Sequence, residues 1–332
     1  MKDLIRTLTV PSGPSGDEFA IKESILRIVE PHVDEWYEDV LGNLYVIKKA
    51  RSEISEKTVM IVAHMDEPAL SVIDIDEDGF LRIAPLGPLH AASLVGARVV
   101  FARTGRRGVV GAEHNVALKD LEFSHLFIDI GAQTQSDAMR DVQIGDAATF
   151  AYGFEEVGNQ LIVGHALDNR VGCALLIDAL QHAQSDYTIV GVFSAQKEVG
   201  SRGAKVAGHR IHPTIALVLD ISPSGDTPKA ERSSLTLGAG VAVKVLDATM
   251  VVSKKWSNHL IEAAKNVSAS YQIEVAPRTT SDAGAIFLAQ SGIPTCGLAI
   301  PARYVGTPSQ MVSLADVTSA QQVLHNFLSL LS

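Results

Sequence analysis

Residues 68–152 constrain the fold of this chain most strongly, because their pattern of apolar and turn-forming residues differs from the pattern on either side. Short β-like runs are separated there by glycines and charged turns, and no long helical pattern occurs. This pattern is typical of a small all-β module inserted into an α/β chain. The runs that we predict as strands are 72–75, 80–83, 97–102, 108–111, 126–130 and 147–150.

Outside this stretch, apolar runs that predict buried strands alternate with patterns of helical periodicity. This alternation indicates an α/β domain whose central sheet is covered by helices on both faces. We expect residues 1–67 and 156–332 to form this domain and residues 68–155 to form the inserted β domain. The predicted elements are a hairpin at 34–49, strands at 58–63, 187–193, 214–219, 241–245 and 294–300, and helices at 17–32, 171–183, 257–267, 282–290 and 315–331.

The overall charge and composition exclude several classes of function. The formal net charge is -10 at pH 7, which argues against nucleic acid as a partner. No uncharged apolar run reaches the roughly 20 residues that span a bilayer, and the first residues show no apolar core of a secretory signal. Cys173 and Cys296 lie in apolar stretches and are expected to be reduced core residues. We therefore expect a cytoplasmic protein that has neither nucleic acid nor a membrane as its partner.

Four side chains suited to metal binding lie at the edge of a predicted strand or in the loop beside one. They are His64, Asp168, Glu198 and Asp220. If these strands are neighbours in one sheet, their carboxyl ends converge, and histidine with carboxylates is a usual ligand set for zinc, cobalt or manganese. Asp66 follows His64 by two residues, so in an extended segment it points to the same side and can accept the second N–H of the imidazole.

Each of these residues also has an ordinary structural interpretation. A single histidine at a strand end is usually a satisfied polar residue, and Asp168 before a helix is commonly an N-cap. Asp220 suits a turn, and Glu198 suits a solvated loop. Spacing alone therefore leaves both the metal cluster and the structural roles open.

Several motifs in one order resemble those of the glutamyl/deblocking aminopeptidase family, cytosolic dinuclear metallopeptidases that form tetrahedral shells of twelve subunits. The resemblance runs nearly from end to end, from the segment 11–16 to the segment 300–304. The motifs are Ala63-His64-Met65-Asp66-Glu67, Ala166-Leu167-Asp168-Asn169-Arg170-Val171-Gly172, Glu198-Val199-Gly200-Ser201-Arg202-Gly203-Ala204, Asp226-Thr227-Pro228 and Thr280-Ser281-Asp282-Ala283.

The resemblance implies a fold, an assembly and a class of substrate. The fold would be a zinc-peptidase-like α/β domain with a central mixed sheet flanked by helices, and the inserted domain would be a small β-barrel used for dimerisation. Dimers would build a homo-oligomer of twelve chains, and the substrates would be short peptides. Asp282, Arg303 and Tyr304 fall in motifs that would shape the loops around the substrate.

The resemblance also implies a pair of divalent metals, with zinc expected and cobalt or manganese as substitutes. Asp168 would bridge the two ions, and His64 and Asp220 would complete the first site. Glu198 and a histidine after the Arg303-Tyr304 pair would hold the second ion. The glutamate that precedes the liganding glutamate would be the general base, and Asp66 would support catalysis beside His64.

The sequence departs from this pattern at two positions, the general base and the histidine ligand of the second ion. Lys197 stands where the general base is expected, and Gly306 stands where the histidine ligand is expected. Gln310 replaces an acidic residue in the same loop. General acid–base catalysis contributes about 10²- to 10⁴-fold in rate, and a lysine cation disfavours a second metal ion. We therefore expect one well-held metal, a weak or empty second site, and weak or absent activity.

Three functions follow from these departures. The first is a metal-dependent aminopeptidase with weakened activity, and the second is an inactive homologue that serves as a binding or assembly subunit. The third is a hydrolase in which Lys197 recruits an anionic group of the substrate. A full site would need a neutral Lys197 as base, or a replacement ligand from elsewhere in the chain, for which the candidates are His90, His114 and His165.

Overall fold

The computed structural model describes residues 1–51, 57–182, 185–230 and 233–331. The last residue of the predicted helix 171–183 lies outside these ranges. The helices are α1 Lys2–Leu8, α2 Phe19–Val29, α3 Gln135–Ala138, α4 Leu167–His182, α5 Arg202–Arg210, α6 Lys254–Asn266, α7 Asp282–Phe287 and α8 Leu314–Leu330. The strands are β1 Glu35–Glu38, β2 Leu44–Lys48, β3 Thr58–His64, β4 Ala69–Ile75, β5 Leu81–Leu86, β6 Arg98–Phe101, β7 Arg107–Ala112, β8 Leu126–Asp129, β9 Ala147–Phe150, β10 Glu155–Val157, β11 Leu161–Gly164, β12 Thr188–Ser194, β13 Ile215–Pro223, β14 Val241–Asp247, β15 Tyr271–Ala276, β16 Thr295–Arg303 and β17 Gln310–Ser313.

One large mixed sheet organises the α/β part of the chain. In the described residues its order is β1-β2-β12-β3-β13-β16-β17-β11-β10, with β14 joined to β16 and β15 joined to β14. The central strands β12, β3, β13 and β16 run parallel to one another. Parallel strands bring their carboxyl ends to one edge of the sheet, which makes that edge the natural place for a site.

The central strands are strongly apolar because helices cover the sheet. In β3 every residue after Thr58 is buried, as expected for a parallel strand that is covered on both faces. One group of helices has α4 against β3 and β13, with α1, α2 and α8 beside it. A second group has α7 against β13 and β16, with α5 beside it. The prediction of a central mixed sheet flanked by helices is confirmed.

The inserted module is a closed antiparallel barrel. Its strands follow the order β4-β5-β8-β7-β6-β9, and each of the six runs predicted from the sequence contributes one strand. The barrel has a hydrophobic core of its own, in which Leu70, Phe101 and Ile128 are fully buried. Its first strand begins five residues after β3 ends, so barrel loops lie beside the carboxyl edge of the main sheet.

The structure corrects the sequence-based assignment in several places. Strand β13 continues to Pro223, so Asp220 lies within the strand and not at its end. Asp168 lies in the non-helical first turn of α4 and not at the edge of a strand. Several short or partly exposed elements were not predicted, because their apolar periodicity is weak. They are α1, α3, α5, β10, β11, β15 and β17. None of the helices in the described part of the chain has the length and apolar character that crossing a bilayer requires.

Candidate metal centre

Three buried side chains meet at the carboxyl edge of the main sheet. His64 ends β3, Asp220 lies in the neighbouring strand β13, and Asp168 enters from the start of α4. Their candidate ligand atoms all lie within 4.8 Å of one another. His64 Nε2 is 3.0 Å from Asp168 Oδ1 and 3.7 Å from Asp220 Oδ1. One imidazole and two carboxylates in this arrangement suit a divalent metal such as zinc.

Asp66 fixes both the imidazole and the neighbouring loop. Its Oδ1 lies 3.4 Å from His64 Nδ1, and its carboxylate accepts hydrogen bonds from the backbone amides of Lys197 at 2.9 Å and Glu198 at 3.0 Å. Ser15 Oγ donates a further hydrogen bond at 2.6 Å. Burial opposes ionisation, but the hydrogen bonds from His64, Ser15 and the Glu198 amide outweigh it and lower the pKa of Asp66 to about 2.

The Lys197 ammonium lies inside the acidic cluster. Its Nζ is 3.1 Å from Glu198 Oε1, 3.7 Å from Asp168 Oδ2 and 4.0 Å from Asp220 Oδ1. Burial disfavours the charged ammonium, but the carboxylates of Asp168, Glu198 and Asp220 raise the pKa of Lys197 well above its usual value. The carboxylates therefore favour the charged form of Lys197 in this arrangement, which is the opposite of the neutral base considered from the sequence.

Glu198 shares the buried cluster and is not a solvated loop acid. Its side chain is only 2% exposed, and Oε1 lies 3.8 Å from His64 Nε2. Burial raises the pKa of Glu198 to about 7, although the Lys197 ammonium opposes the rise. Glu198 lies outside the group of three whose ligand atoms converge, and its nearest cationic partner is Lys197.

A loop of the barrel fills the space where a side chain at position 306 would lie. Gly306 has a φ of +79°, and an added Cβ would lie 2.8 Å from Pro88 O and 3.5 Å from His90 Cδ2. The same loop approaches the cluster at Gly87, where an added Cβ would lie 3.0 Å from Glu198 Cβ. Both positions favour glycine, because φ is positive at each and neighbouring atoms lie close, a backbone oxygen at Gly306 and side-chain atoms at Gly87.

The three histidines considered as replacement ligands do not join the cluster. Among the described residues, the group whose ligand atoms converge contains His64 but not His90, His114 or His165. His165 is engaged elsewhere, since its Nδ1 lies 2.5 Å from Tyr152 O. His90 lies beside position 306, where its Nε2 would be 3.7 Å from an added Cβ, but it is not part of the converging group.

The remaining predicted residues lie around the cluster. Asp282 is 1% exposed, and its Oδ2 accepts a hydrogen bond from Ser194 Oγ at 2.7 Å. Arg303 makes a bidentate pair with Asp226 at 3.0 and 2.6 Å. Tyr304 is 52% exposed, and it lines a cavity of about 890 Å³ together with Arg303.

Sequence reasoning missed Glu274, a charged residue in the wall of this cavity, and its partner Lys244. Glu274 lies on β15, which was not predicted, and it forms an ion pair with Lys244 at 2.9 Å. Lys244 was a usable signal, because it is a charged residue inside an otherwise apolar predicted strand and buried charges are paired or functional. Its partner could not be found from spacing, since Glu274 is thirty residues further along the chain.

Comparison with known proteins adds independent information about this fold and site. The sequence profile of the M42 glutamyl aminopeptidase family matches residues 42–323. A putative aminopeptidase of Acetivibrio thermocellus is 38% identical over 98% of this chain and 97% of its own length. An aminopeptidase structure from the archaeon Desulfurococcus kamchatkensis has a TM-score of 0.94 and 33% identity, covering 98% of this chain and 93% of that one. The TET1 peptidase of Pyrococcus horikoshii, which assembles into a tetrahedron or a large octahedral shell, has a TM-score of 0.87 and 25% identity over 98% of both chains.

Proposed function

Because the chain belongs to the M42 glutamyl aminopeptidase family, we propose that it is a metal-dependent aminopeptidase that removes N-terminal residues from short peptides and works with one divalent ion. The observation that carries this proposal is the convergence of His64, Asp168 and Asp220 at the carboxyl edge of the sheet. We further propose that its turnover is weak, because the residue in the position of the general base is Lys197.

The residues of the first site fit a divalent cation. They offer one imidazole nitrogen and two carboxylates, all buried, and Asp66 orients the imidazole from its other nitrogen. Zinc is the ion that we expect, with cobalt or manganese as substitutes, since these ions share the donor set. When bound here, the ion supplies a Lewis acid for hydrolysis of a peptide bond.

The residues of the second site do not fit a cation. Asp168 and Glu198 are present, but the Lys197 ammonium already lies 3.1 Å from Glu198, and Gly306 offers no ligand. Two unit charges 4 Å apart interact by about 4 kcal/mol at an effective dielectric constant of 20. A divalent ion near this ammonium would therefore be strongly disfavoured, and Lys197 would neutralise part of the acidic cluster in its place.

The loss of the base should limit the rate more than the binding of peptide. A protonated lysine cannot take a proton from water, and general-base help contributes about 10²- to 10⁴-fold in rate. The Lys197 ammonium can still hold Glu198 and Asp168 in place by charge. We therefore expect measurable but slow release of N-terminal residues.

Metal stoichiometry and activity test the proposal together. The chain is equilibrated with zinc, cobalt or manganese and freed of loose ions, after which elemental analysis counts ions per chain. We expect one ion in the parent and in K205M, a control that removes an exposed lysine on α5, and none in D220A. Release from a panel of aminoacyl chromogenic substrates should be slow and should disappear in D220A. Two tightly held ions per chain, or fast turnover in the parent, would refute the single-ion proposal.

One alternative function is favoured by a specific observation. The ammonium of Lys197 inside the cluster suits an inactive homologue that serves as a binding or assembly subunit. In this alternative the chain still forms a homo-oligomer, a dodecamer built from dimers. We propose this assembly by analogy with the shell-forming TET1 relative. Complete absence of turnover with every metal, in a chain that light scattering shows to be a large oligomer, would favour the alternative. A monomer in solution would refute the proposed assembly.

The free cysteines support a reducing compartment as a further part of the proposal. Cys173 and Cys296 are both buried and unpaired, and such thiols persist where disulfides do not form. We therefore propose a cytoplasmic location, which fractionation of the native host would test.

A further inference from the structure

A cavity of about 890 Å³ opens along the carboxyl edge of the sheet beside the metal centre. Strand β13 carries Asp220 and continues to Ser222 and Pro223, which line the cavity. The end of β16 and the end of β15 form further walls. Ser222 lies two residues beyond Asp220 on the same strand, so the cavity adjoins the candidate metal centre.

Glu274 gives this cavity a chemical preference. The residue lines the cavity and is only 1% exposed. Its Oε1 accepts hydrogen bonds from Lys244 Nζ at 2.9 Å and from Ser222 Oγ. Its Oε2 is buried and has no hydrogen-bond partner among the described residues. A buried carboxylate oxygen without a partner is unusual, because the loss of its hydration is not offset.

The charges around Glu274 are not balanced locally. Lys244 Nζ also lies 3.8 Å from Asp247 Oδ2, so two carboxylates share one ammonium. Arg303, which also lines the cavity, is neutralised by its bidentate pair with Asp226. Arg278 also lines the cavity and has an interaction of its own. The wall at Glu274 therefore presents an acceptor with excess negative charge.

We propose that this cavity receives the side chain of the substrate's N-terminal residue and selects side chains that end in a hydrogen-bond donor, through the free Oε2 of Glu274. This inference rests on the proposed function, since it assigns the cavity to the residue that the enzyme would release. An amide or ammonium group would satisfy Oε2, whereas a carboxylate would be repelled and an apolar end would leave Oε2 buried without a partner.

Binding of free amino acids tests the selection without depending on catalysis. Isothermal titration calorimetry of the metal-loaded protein compares glutamine with glutamate, and lysine with norleucine. Glutamine and glutamate are matched in length, and norleucine is lysine without its terminal ammonium group. Since hydrogen bonds to charged groups are strong, we expect glutamine to bind about 10- to 100-fold more tightly than glutamate, and lysine to bind more tightly than norleucine by a similar factor.

Two variants assign the preference to Glu274. E274Q keeps the size of the side chain and removes its charge, and E262Q makes the same change on the exposed face of α6. E274Q should bring the lysine-to-norleucine ratio close to one, while E262Q should keep the parent ratio. The parent measurement stands by itself if E274Q fails to fold, which its melting curve would show.

The outcomes separate this inference from the proposed function. Equal binding within both pairs in the parent, or no binding of any of the four amino acids, would overturn the inference. Retention of the full preference in folded E274Q would overturn the role of Glu274. Preferential binding without hydrolysis of any aminoacyl substrate would leave the inference standing and would count against the aminopeptidase function alone.

Discussion

Replacing Lys197 by methionine should destabilise the metal-free protein and strengthen its response to metal. The ammonium lies 3.1, 3.7 and 4.0 Å from oxygens of Glu198, Asp168 and Asp220. At an effective dielectric constant of 20, each of these contacts corresponds to about 4–5 kcal/mol of attraction, most of which is offset by desolvation of the buried charges. Removing one partner of a buried ion pair nevertheless costs about 3–5 kcal/mol, because the other charge is left without compensation.

We therefore expect K197M to lose about 3 kcal/mol of stability in the absence of metal, seen as a Tm lower by several degrees in differential scanning calorimetry. Added zinc should raise the Tm of K197M by more than that of the parent. The reason is that the variant keeps the carboxylates of the first site but no longer places a cation beside them, so the ion binds more tightly and stabilises the folded chain more.

The control is K205M, whose lysine is exposed on α5 and should change neither the Tm nor its response to zinc. Equal stability of K197M and the parent without metal would refute the reasoning, since it would mean that the ammonium does not compensate the acidic cluster. An identical zinc response in both proteins would show that Lys197 does not compete with a bound cation.

Three further predictions concern the surroundings of the cluster. G306H should destabilise the chain by about 1–3 kcal/mol, because its φ is +79° and its Cβ would lie 2.8 Å from Pro88 O; urea unfolding measures this, and a stable variant with a second bound ion would contradict it. D66N should weaken zinc affinity about 10- to 100-fold, because it removes the carboxylate charge beside the imidazole and loosens the loop, although the contact of His64 Nδ1 with the Asp66 backbone oxygen at 3.2 Å remains; competition with a chelator measures this, and unchanged affinity would argue against the role of the carboxylate. D226N should destabilise the chain by about 2 kcal/mol at pH 7. Arg303 holds the pKa of Asp226 well below its usual value, so this stabilisation is present above the unfolded pKa and is lost as the pH falls through the folded pKa. The Tm difference between D226N and the parent should therefore shrink on acidification, and a constant difference would refute it.

The parts of the fold that could be predicted are those with strong local patterns. The buried run that became β3 and the six short runs that became the barrel carry their own apolar signal. Strand β15, and with it the position of Glu274, was not predicted, because a half-exposed strand near the edge of a sheet mixes polar and apolar residues. The full extent of β13 was also missed, because its last residues include Ser222, which is polar, and Pro223, which usually ends a strand.

The convergence of His64, Asp168 and Asp220 was expected from the sequence, but the packing around them was not. Spacing alone left the cluster open, and the resemblance to a family indicated both the cluster and the departures at Lys197 and Gly306. Only the structure shows the ammonium among three carboxylates. The contact between Gly306 and Pro88 joins positions more than two hundred residues apart in different parts of the fold, and no local pattern encodes such a contact.

The contact of the barrel loop with Gly306 and Glu198 has a consequence for any redesign of the site. Gly87 leaves little space above Glu198, and Pro88 leaves none beside Gly306. A histidine placed at position 306 would meet this loop, and a substitution of Lys197 would leave buried acids without a cation. Each single change is therefore expected to give a less stable protein. Building a second cation site here would need compensating changes in the barrel loop and in the main sheet at once.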